Sequence, residues 1–521
     1  MVIGVGVAAV TTEGRGIVLD MGEGVRVRVR SAELTTIGTA RTTDTSVTSM
    51  HEALRVANHW LAGSADRRQA FRAGTRPTAP TADSAPLIAR PEWGTDGDGA
   101  FPALGYRLLA AMRVYGTFRI FSPYAGLFTH PWDSVFVSAS QQVAHAADAL
   151  EYTRAIAAFV RETNDTHSQI ASTVLLRDLV GEASLPLHAQ FVDGALVVMR
   201  TLSSIRDTTR LSVGDVIERI DGTPIDTRSV SLTTYIPAST PQSLRSMLAT
   251  RALRGPQASV ATLDVRGADS VRRVVKLQRT GPVVPLDRFA RGGPAVSMLS
   301  PRIAYVDLER VNEREVDSMF AIIAGAESLI LDLRGIPSGG AWRVVGYLNR
   351  FDRPVPGALF TRPNRISVDS TMFWSDTLVE RAPSAPQRFL GRTVMLMDER
   401  TINQGEVLGL MFGSINGTTL VGSRTQGAVG DLTAFALPAN MRVFMTGQAA
   451  LRTNGWSPQG RGIEPDLTVI PTLRGVRAGI DEVLTAAFQN LGGRGVIRML
   501  DDPPTPAQLA ARQRPQGTVR R

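Results

Sequence analysis

Polar and apolar positions alternate through the opening of the chain, most plainly in Val25-Arg-Val-Arg-Val-Arg30, and a period of two predicts a small β-unit. A Thr/Ser-rich stretch and the Pro/Ala-rich segment from Thr75 to Pro91 follow, which reads as a linker. From Phe101 the period changes. Leu104, Leu108, Leu109, Met112 and Tyr115 share one helical face, and Tyr152, Ile156, Phe159 and Val160 share another, so a helical bundle is expected. Leu185-Pro-Leu-His-Ala-Gln-Phe191 and Ala195-Leu-Val-Val-Met199 read as strands. Val216 to Ile220 reads as a buried strand closed by the turn pair Asp221-Gly222. Beyond about Val296, apolar strands at Ile303–Leu308, Ser328–Leu333 and Thr393–Asp398 alternate with helical segments, one beginning near Gln404, which predicts an α/β core with buried strands. The Pro/Gln/Arg-rich ending reads as a tail. The expected division is 1–98 (β-rich region and linker), 99–180 (helical), 181–282 (β-rich insert), 290–495 (α/β core) and 496–521 (tail).

Composition narrows the chemistry. Hydrophobic residues make up 43% of the 521 and charged residues 20%, an ordinary globular mixture for a multidomain chain. No cysteine is present, so disulfides, thiolate metal sites and cysteine nucleophiles are excluded together. The net charge of +9 comes from arginines scattered along the chain, not from basic runs interleaved with aromatics, and nucleic acid is not the expected partner. Lys276 is the one lysine, so lysine-dependent catalysis has a single donor. The six histidines, His51, His59, His130, His145, His167 and His188, lack the paired spacing of a zinc peptidase, and neither metal nor cofactor is expected. No run approaches the ~18 apolar residues of a spanning helix, and Met1–Val10 lacks the basic flank of a secretory signal.

The segment Leu211-Ser-Val-Gly-Asp-Val-Ile-Glu-Arg-Ile-Asp-Gly-Thr-Pro-Ile225 resembles the hallmark stretch of PDZ domains, with Leu211, Val213 and Gly214 as the implied substrate-binding turn. Leu329-Ile-Leu-Asp-Leu-Arg-Gly-Ile-Pro-Ser-Gly-Gly340, Met397-Asp-Glu-Arg-Thr-Ile-Asn-Gln-Gly-Glu406, Gly422-Ser-Arg-Thr-Gln-Gly-Ala428 and Gly460-Arg-Gly-Ile-Glu-Pro-Asp466 together resemble the tail-specific or C-terminal processing serine peptidases, above all their tricorn core protease branch. Phe118-Arg-Ile-Phe-Ser-Pro-Tyr124, Trp132-Asp133 and Asp165-Thr-His167 extend the likeness, which runs from about residue 100 to 490. The resemblance implies a crotonase-like (ClpP/crotonase) α/β core with an inserted PDZ-like domain, extended or unfolded polypeptide as substrate, and work in the cell envelope or outside the cell.

Asn403 stands where the resemblance implies the catalytic serine, three residues before Glu406. An amide nitrogen delocalised into its carbonyl is a very poor nucleophile, so the acyl-enzyme route is closed there. Asn403 instead suits a helix N-cap. The Ser–Lys solution of the resemblance needs a lysine within Gly427-Ala-Val-Gly430, which has none, and Lys276 lies in the PDZ-like region. The tricorn-like solution implies His167 as base, with its orienting acid at the position of Gln459, an amide here. Gly339, Gly340 and the N–H of Gln404 are the implied oxyanion hole, and their bland reading is a tight turn. Thr401 and Ser414 are weaker candidates for a replacement nucleophile. The expected function is binding of polypeptide C-termini by a catalytically impaired peptidase. Two alternatives stay open: an active serine-type endopeptidase, through another hydroxyl or if serine stands at 403 in the natural chain, and a scaffold that pairs with itself or with an active paralogue.

Overall fold

Two five-residue segments, Ile303–Asp307 and Ser328–Asp332, are buried at every position, which requires covering on both faces. They pair in parallel at the centre of a six-stranded sheet. The computed structural model describes residues 99–201, 208–280, 293–365 and 373–499, with Gly97, Arg291 and the backbone of three antiparallel strands, Ala9–Glu13, Gly16–Asp20 and Arg26–Arg30. The expected linker at Thr75–Pro91 lies outside the described residues, as does the tail beyond Met499. The last described residues are tied back: Asp481 N donates to Ile497 O and Met499 N to Gly479 O.

Three helices come first: α1 (Leu104–Phe121), α2 (Trp132–His145) and α3 (Ala149–Arg161), the last capped by Asp148. Their apolar faces meet around Phe118, Trp132, Phe136 and Phe159. The same cluster takes in Phe435, Leu437, Met441 and Val443 from near the other end of the chain. The helical segment therefore shares its core with a hairpin from the later part of the chain.

The insert follows. Strands β1 (Leu187–Val192), β2 (Ala195–Thr201), β3 (Val216–Ile220), β4 (Val260–Arg266) and β5 (Arg272–Gln278) form an antiparallel sheet in the order β5-β4-β3-β2-β1. Helices α4 (Ile225–Thr233) and α5 (Pro241–Ala252) accompany it, α5 capped by Thr240 with proline in its first turn.

The main sheet runs β6 (Val296–Ser300), β7 (Ile303–Asp307), β8 (Ser328–Asp332), then, from further along the chain, β11 (Arg392–Met397), β12 (Thr419–Gly422) and β15 (Leu467–Thr468). All but β6 are parallel. Alternate residues feed two cores: Ala304, Leu329, Leu331 and Met395 face one side, while Tyr305, Ile330, Val394 and Leu396 face the helix Glu482–Asn490 on the other. Helix α6 (Gly339–Leu348) follows β8, and α7 (Gln404–Ile415) follows β11. A second sheet orders β10 (Phe373–Ala382), β9 (Val355–Arg365), β14 (Met441–Leu451) and β13 (Asp431–Leu437). The short strand Ile170–Ala171 pairs with β14 just after His167.

The main sheet carries a buried ion network. Arg291 joins Asp307 and Glu309 at 2.7 Å each and Asp332 at 3.2 Å, and Arg334 joins Asp332 at 2.6 Å and Asp481 at 2.8 Å. The two guanidiniums hold the Asp332 carboxyl well below the usual carboxylate range although burial acts the other way. Glu309, more weakly served, is pushed up to about 7 by burial.

Candidate active site

Neighbouring parallel strands β8 and β11 deliver the N-termini of α6 and α7 to one edge of the main sheet. First-turn N–H groups have no intrahelical acceptor, and the helix dipoles add positive potential, so this edge suits a developing oxyanion. Gly339, Gly340 and Gln404 occupy those first turns. Gly340 has a packing reason as well: a Cβ there would stand 2.4 Å from Val311 O. Trp342 Nε1 donates to Gln404 Oε1 at 3.3 Å and ties the two helix starts together.

Asn403 joins β11 to α7 with φ +52° and ψ −110°. This lies outside both the right-handed region and the small left-handed well that asparagine tolerates, and such a conformation costs about 1–3 kcal/mol. The geometry is that of a nucleophile elbow, a strained strand-to-helix turn that lifts one side chain into the site. Asn403 makes no side-chain capping hydrogen bond, which corrects the N-cap reading: the backbone leaves the extended conformation that a cap requires. Its own N–H donates to Ala428 O at 2.9 Å.

Neither alternative hydroxyl replaces it. Thr401 is fully buried, donates to Leu333 O at 2.7 Å and accepts from Asp398 N at 3.1 Å. Ser414 donates back to Leu410 O along α7 at 2.9 Å. Lys276 is exposed on β5 of the insert, paired in register with Thr262.

Glu406 is fully buried and accepts from Thr425 Oγ1 at 2.5 Å, Gly427 N at 2.8 Å and Ala428 N at 3.0 Å. Burial pushes its carboxyl up to about 7, against the three donors. Glu406 thereby fixes the turn 425–428 beside the elbow. Gly427, at φ +74°, has no room for a Cβ, which would lie 2.7 Å from Gly462 N. The insert docks on the same turn: Thr240 Oγ1 donates to Gln426 O at 2.7 Å and Gln242 Nε2 to Thr425 O at 2.9 Å.

His167 is buried at 4% exposure, and its Nδ1 lies 2.9 Å from Thr446 Oγ1. Thr446 Oγ1 donates to Asp165 Oδ2 at 2.6 Å. A hydroxyl has one proton, so the second contact makes His167 Nδ1–H the donor and leaves Nε2 with a free lone pair. Nε2 is buried without a hydrogen-bond partner. Burial lowers the His167 pKa, opposed by the Asp165 charge, so the ring is held neutral. An orienting carboxylate is therefore present. Asp165 supplies it through Thr446, and Gln459 stands one step back, donating to Asp165 Oδ1 at 3.2 Å while its Oε1 accepts from Val429 N at 2.9 Å. Asn403, Ala428, Val429, Gln459 and Asp165 thus form one connected neighbourhood.

The PDZ-like turn lies elsewhere. Leu211 is fully buried in the insert's own core, Val213 is exposed, and the carbonyl of Gly214 accepts from Arg477 Nε at 3.1 Å, which ties this turn to the helix Leu473–Arg477. Thr446 was not foreseen; the one local hint was the Asp165-Thr-His167 spacing, in which the carboxylate already flanks the ring.

The family model described as peptidase family S41 matches residues 302–469. No curated protein sequence matches the chain. Among solved structures, mature CPAF is similar at a TM-score of 0.57 and 13% identity, covering 76% of this chain and 99% of that one. Mature CPAF complexed with lactacystin gives 0.57 and 13%, with 74% and 97% covered. The photosystem II D1 C-terminal processing protease gives 0.45 and 18%, with 72% and 97% covered. The likeness to CPAF shows a shared fold. Residues 302–469, the stretch matched by the peptidase family S41 model, hold the elbow at Asn403, the paired helix starts and Glu406.

Proposed function

We propose that this protein is a peptidase of altered function, unable to form an acyl-enzyme, that binds extended polypeptide. Asn403 carries the reading: the elbow keeps its strained geometry while the side chain it lifts has no nucleophilic atom. The hydroxyls of Thr401 and Ser414 are engaged in structural hydrogen bonds. For binding, the insert offers β1, which among the described residues is an edge of its sheet, with α5 alongside. His188, Gln190 and Phe191 of β1 line a narrow crevice with Arg245 and Thr250 of α5 and with Glu399 and Arg400, which precede Asn403 in the chain. An extended chain would add to β1 as a strand, the PDZ-like mode. A serine-directed fluorophosphonate tests the reading: no labelling is expected, and stoichiometric labelling at any residue overturns it. Peptides with free apolar C-termini should bind, and equal binding of their amidated forms would remove carboxylate capture from the account.

A second reading has its own support. His167 Nε2, buried and without a hydrogen-bond partner among the described residues, keeps a free lone pair, which favours a site one substitution from activity. Asn403→Ser tests it, by gain of hydrolysis of an unfolded protein.

A further inference from the structure

Where the helical segment, the insert and the loop after His167 meet, a cavity of about 210 Å³ opens. Ala157, Val160, Leu175, Val180 and Tyr235 make part of its wall apolar. Its polar part is cationic. Arg251, in the last turn of α5, and Arg254, in the short strand Arg254–Gly255 just beyond it, both line it. Arg251 has only an amide for a partner, Gln169 Oε1 at 2.5 Å, and Arg254 Nε is buried with no partner. Beside them Ser168 Oγ is fully buried and likewise unpartnered. Among the described residues neither guanidinium forms a salt bridge, whereas the buried Arg291 and Arg334 each hold two or more carboxylates and the buried Arg107 donates to three backbone carbonyls.

Two neighbouring desolvated cations without counter-ions are costly, and an anion is the group that offsets the cost. Burial lowers Arg251 to about 9, with the neighbouring Arg254 charge adding to the effect, and lowers Arg254 to about 10. Ser168 Oγ and Arg254 Nε supply two further donors. The volume limits the ligand. The cavity suits a small ligand, and the apolar part of its wall beside the guanidiniums gives an apolar body a surface to pack against.

We propose that this cavity binds a small monocarboxylate with an apolar body, the carboxylate between Arg251 and Arg254 and the body against Leu175 and Val180. Two sources share this chemistry: a free short acyl acid, and the leucine-sized last residue of a polypeptide. The site is separate from the elbow and does not depend on whether residue 403 reacts.

Calorimetric titration of the full chain with hexanoate and with N-acetylleucine, against hexanol and N-acetylleucinamide, tests it. At least one acid should bind, its neutral counterpart about ten-fold or more weaker, as loss of a charge-assisted contact requires. Hexanoate alone points to the acyl acid and N-acetylleucine alone to a chain end; binding of both supports the shared chemistry. No binding at millimolar concentration, or neutral analogues binding as well as the acids, overturns the proposal. Arg254→Leu removes a guanidinium that serves no carboxylate, so Tm should hold or rise while acid binding falls about ten- to a hundred-fold. Undiminished binding in that variant also overturns it. Should the variant fail to fold, the comparison of acid with neutral analogue on the unaltered chain still decides.

Discussion

The carboxylate of Asp165 reaches the ring of His167 through a hydroxyl: Thr446 Oγ1 donates to Asp165 Oδ2 at 2.6 Å and accepts from His167 Nδ1 at 2.9 Å. The arrangement performs what a direct carboxylate–imidazole contact does, fixing the tautomer with Nε2 as the basic atom. It also makes a threonine as consequential as the charged residues around it.

Asn403→Ser should therefore acquire measurable peptidase activity, read as fluorophosphonate labelling and as hydrolysis of an unfolded protein. Adding His167→Ala should slow it about 10²–10⁴-fold, the usual worth of general-base assistance. Because burial lowers the His167 pKa from its ordinary 6.5, activity should already sit on its plateau at pH 7 and fall only on the acid side. A plateau reached only well above pH 7 would show that another group is the base.

Thr446→Val should destabilise the protein by about 1–3 kcal/mol, since a buried carboxylate oxygen and a ring N–H each lose their partner. Denaturant unfolding measures this. Nitrogen NMR of His167 in the unaltered protein should show protonated Nδ1 and bare Nε2; the opposite tautomer would place the Thr446 proton on the ring side and dismantle the relay.

His167 and Glu406 should tilt the pH dependence of stability in opposite directions. The folded state favours neutral His167, so its contribution is full above pH 6.5 and is lost as pH falls below that value. Glu406, raised from its ordinary 4.5 to about 7, contributes fully below 4.5 and loses that contribution as pH rises toward 7. His167→Gln should accordingly flatten the acid-side loss, measured by denaturant unfolding at a series of pH values. An unchanged slope would mean that the buried ring is charged.

Arg334→Met should cost about 3–5 kcal/mol, because Asp332 and Asp481 lose a shared cation and Asp332 is fully buried. A thermal scan suffices, and a loss below about 1 kcal/mol would mean that water or Arg291 takes over the charge.

The central strands and the elbow were legible in the sequence because their signals are local: unbroken apolar runs at Ser328–Asp332 and Thr393–Met397, and the spacing from Asn403 to Glu406. The polar partners were not. Thr446 lies 279 residues from His167, and nothing around a threonine in a strand announces which side chain it will meet. The same limit applies to the turn of the insert. Leu211–Gly214 has a strong turn signature, but whether a turn faces a ligand or a neighbouring helix is set by how the insert docks, through contacts such as Gly214 with Arg477. Gln459 was read as a lost acid because its neighbour Asp165 could not be placed beside it from sequence.

The core shared by the first helices and β13–β14 puts a clock on the chain. During synthesis Phe118, Trp132 and Phe159 emerge long before Phe435 and Val443, and at roughly 5–20 residues per second the wait lasts on the order of tens of seconds. Throughout it those aromatic surfaces stand half-covered, exposed to aggregation or to a chaperone, and His167 has no hydroxyl to turn its ring. A nascent or truncated chain ending before β14 cannot hold an oriented base, whatever residue stands at 403, so this site can come into being only after Thr446 has been added.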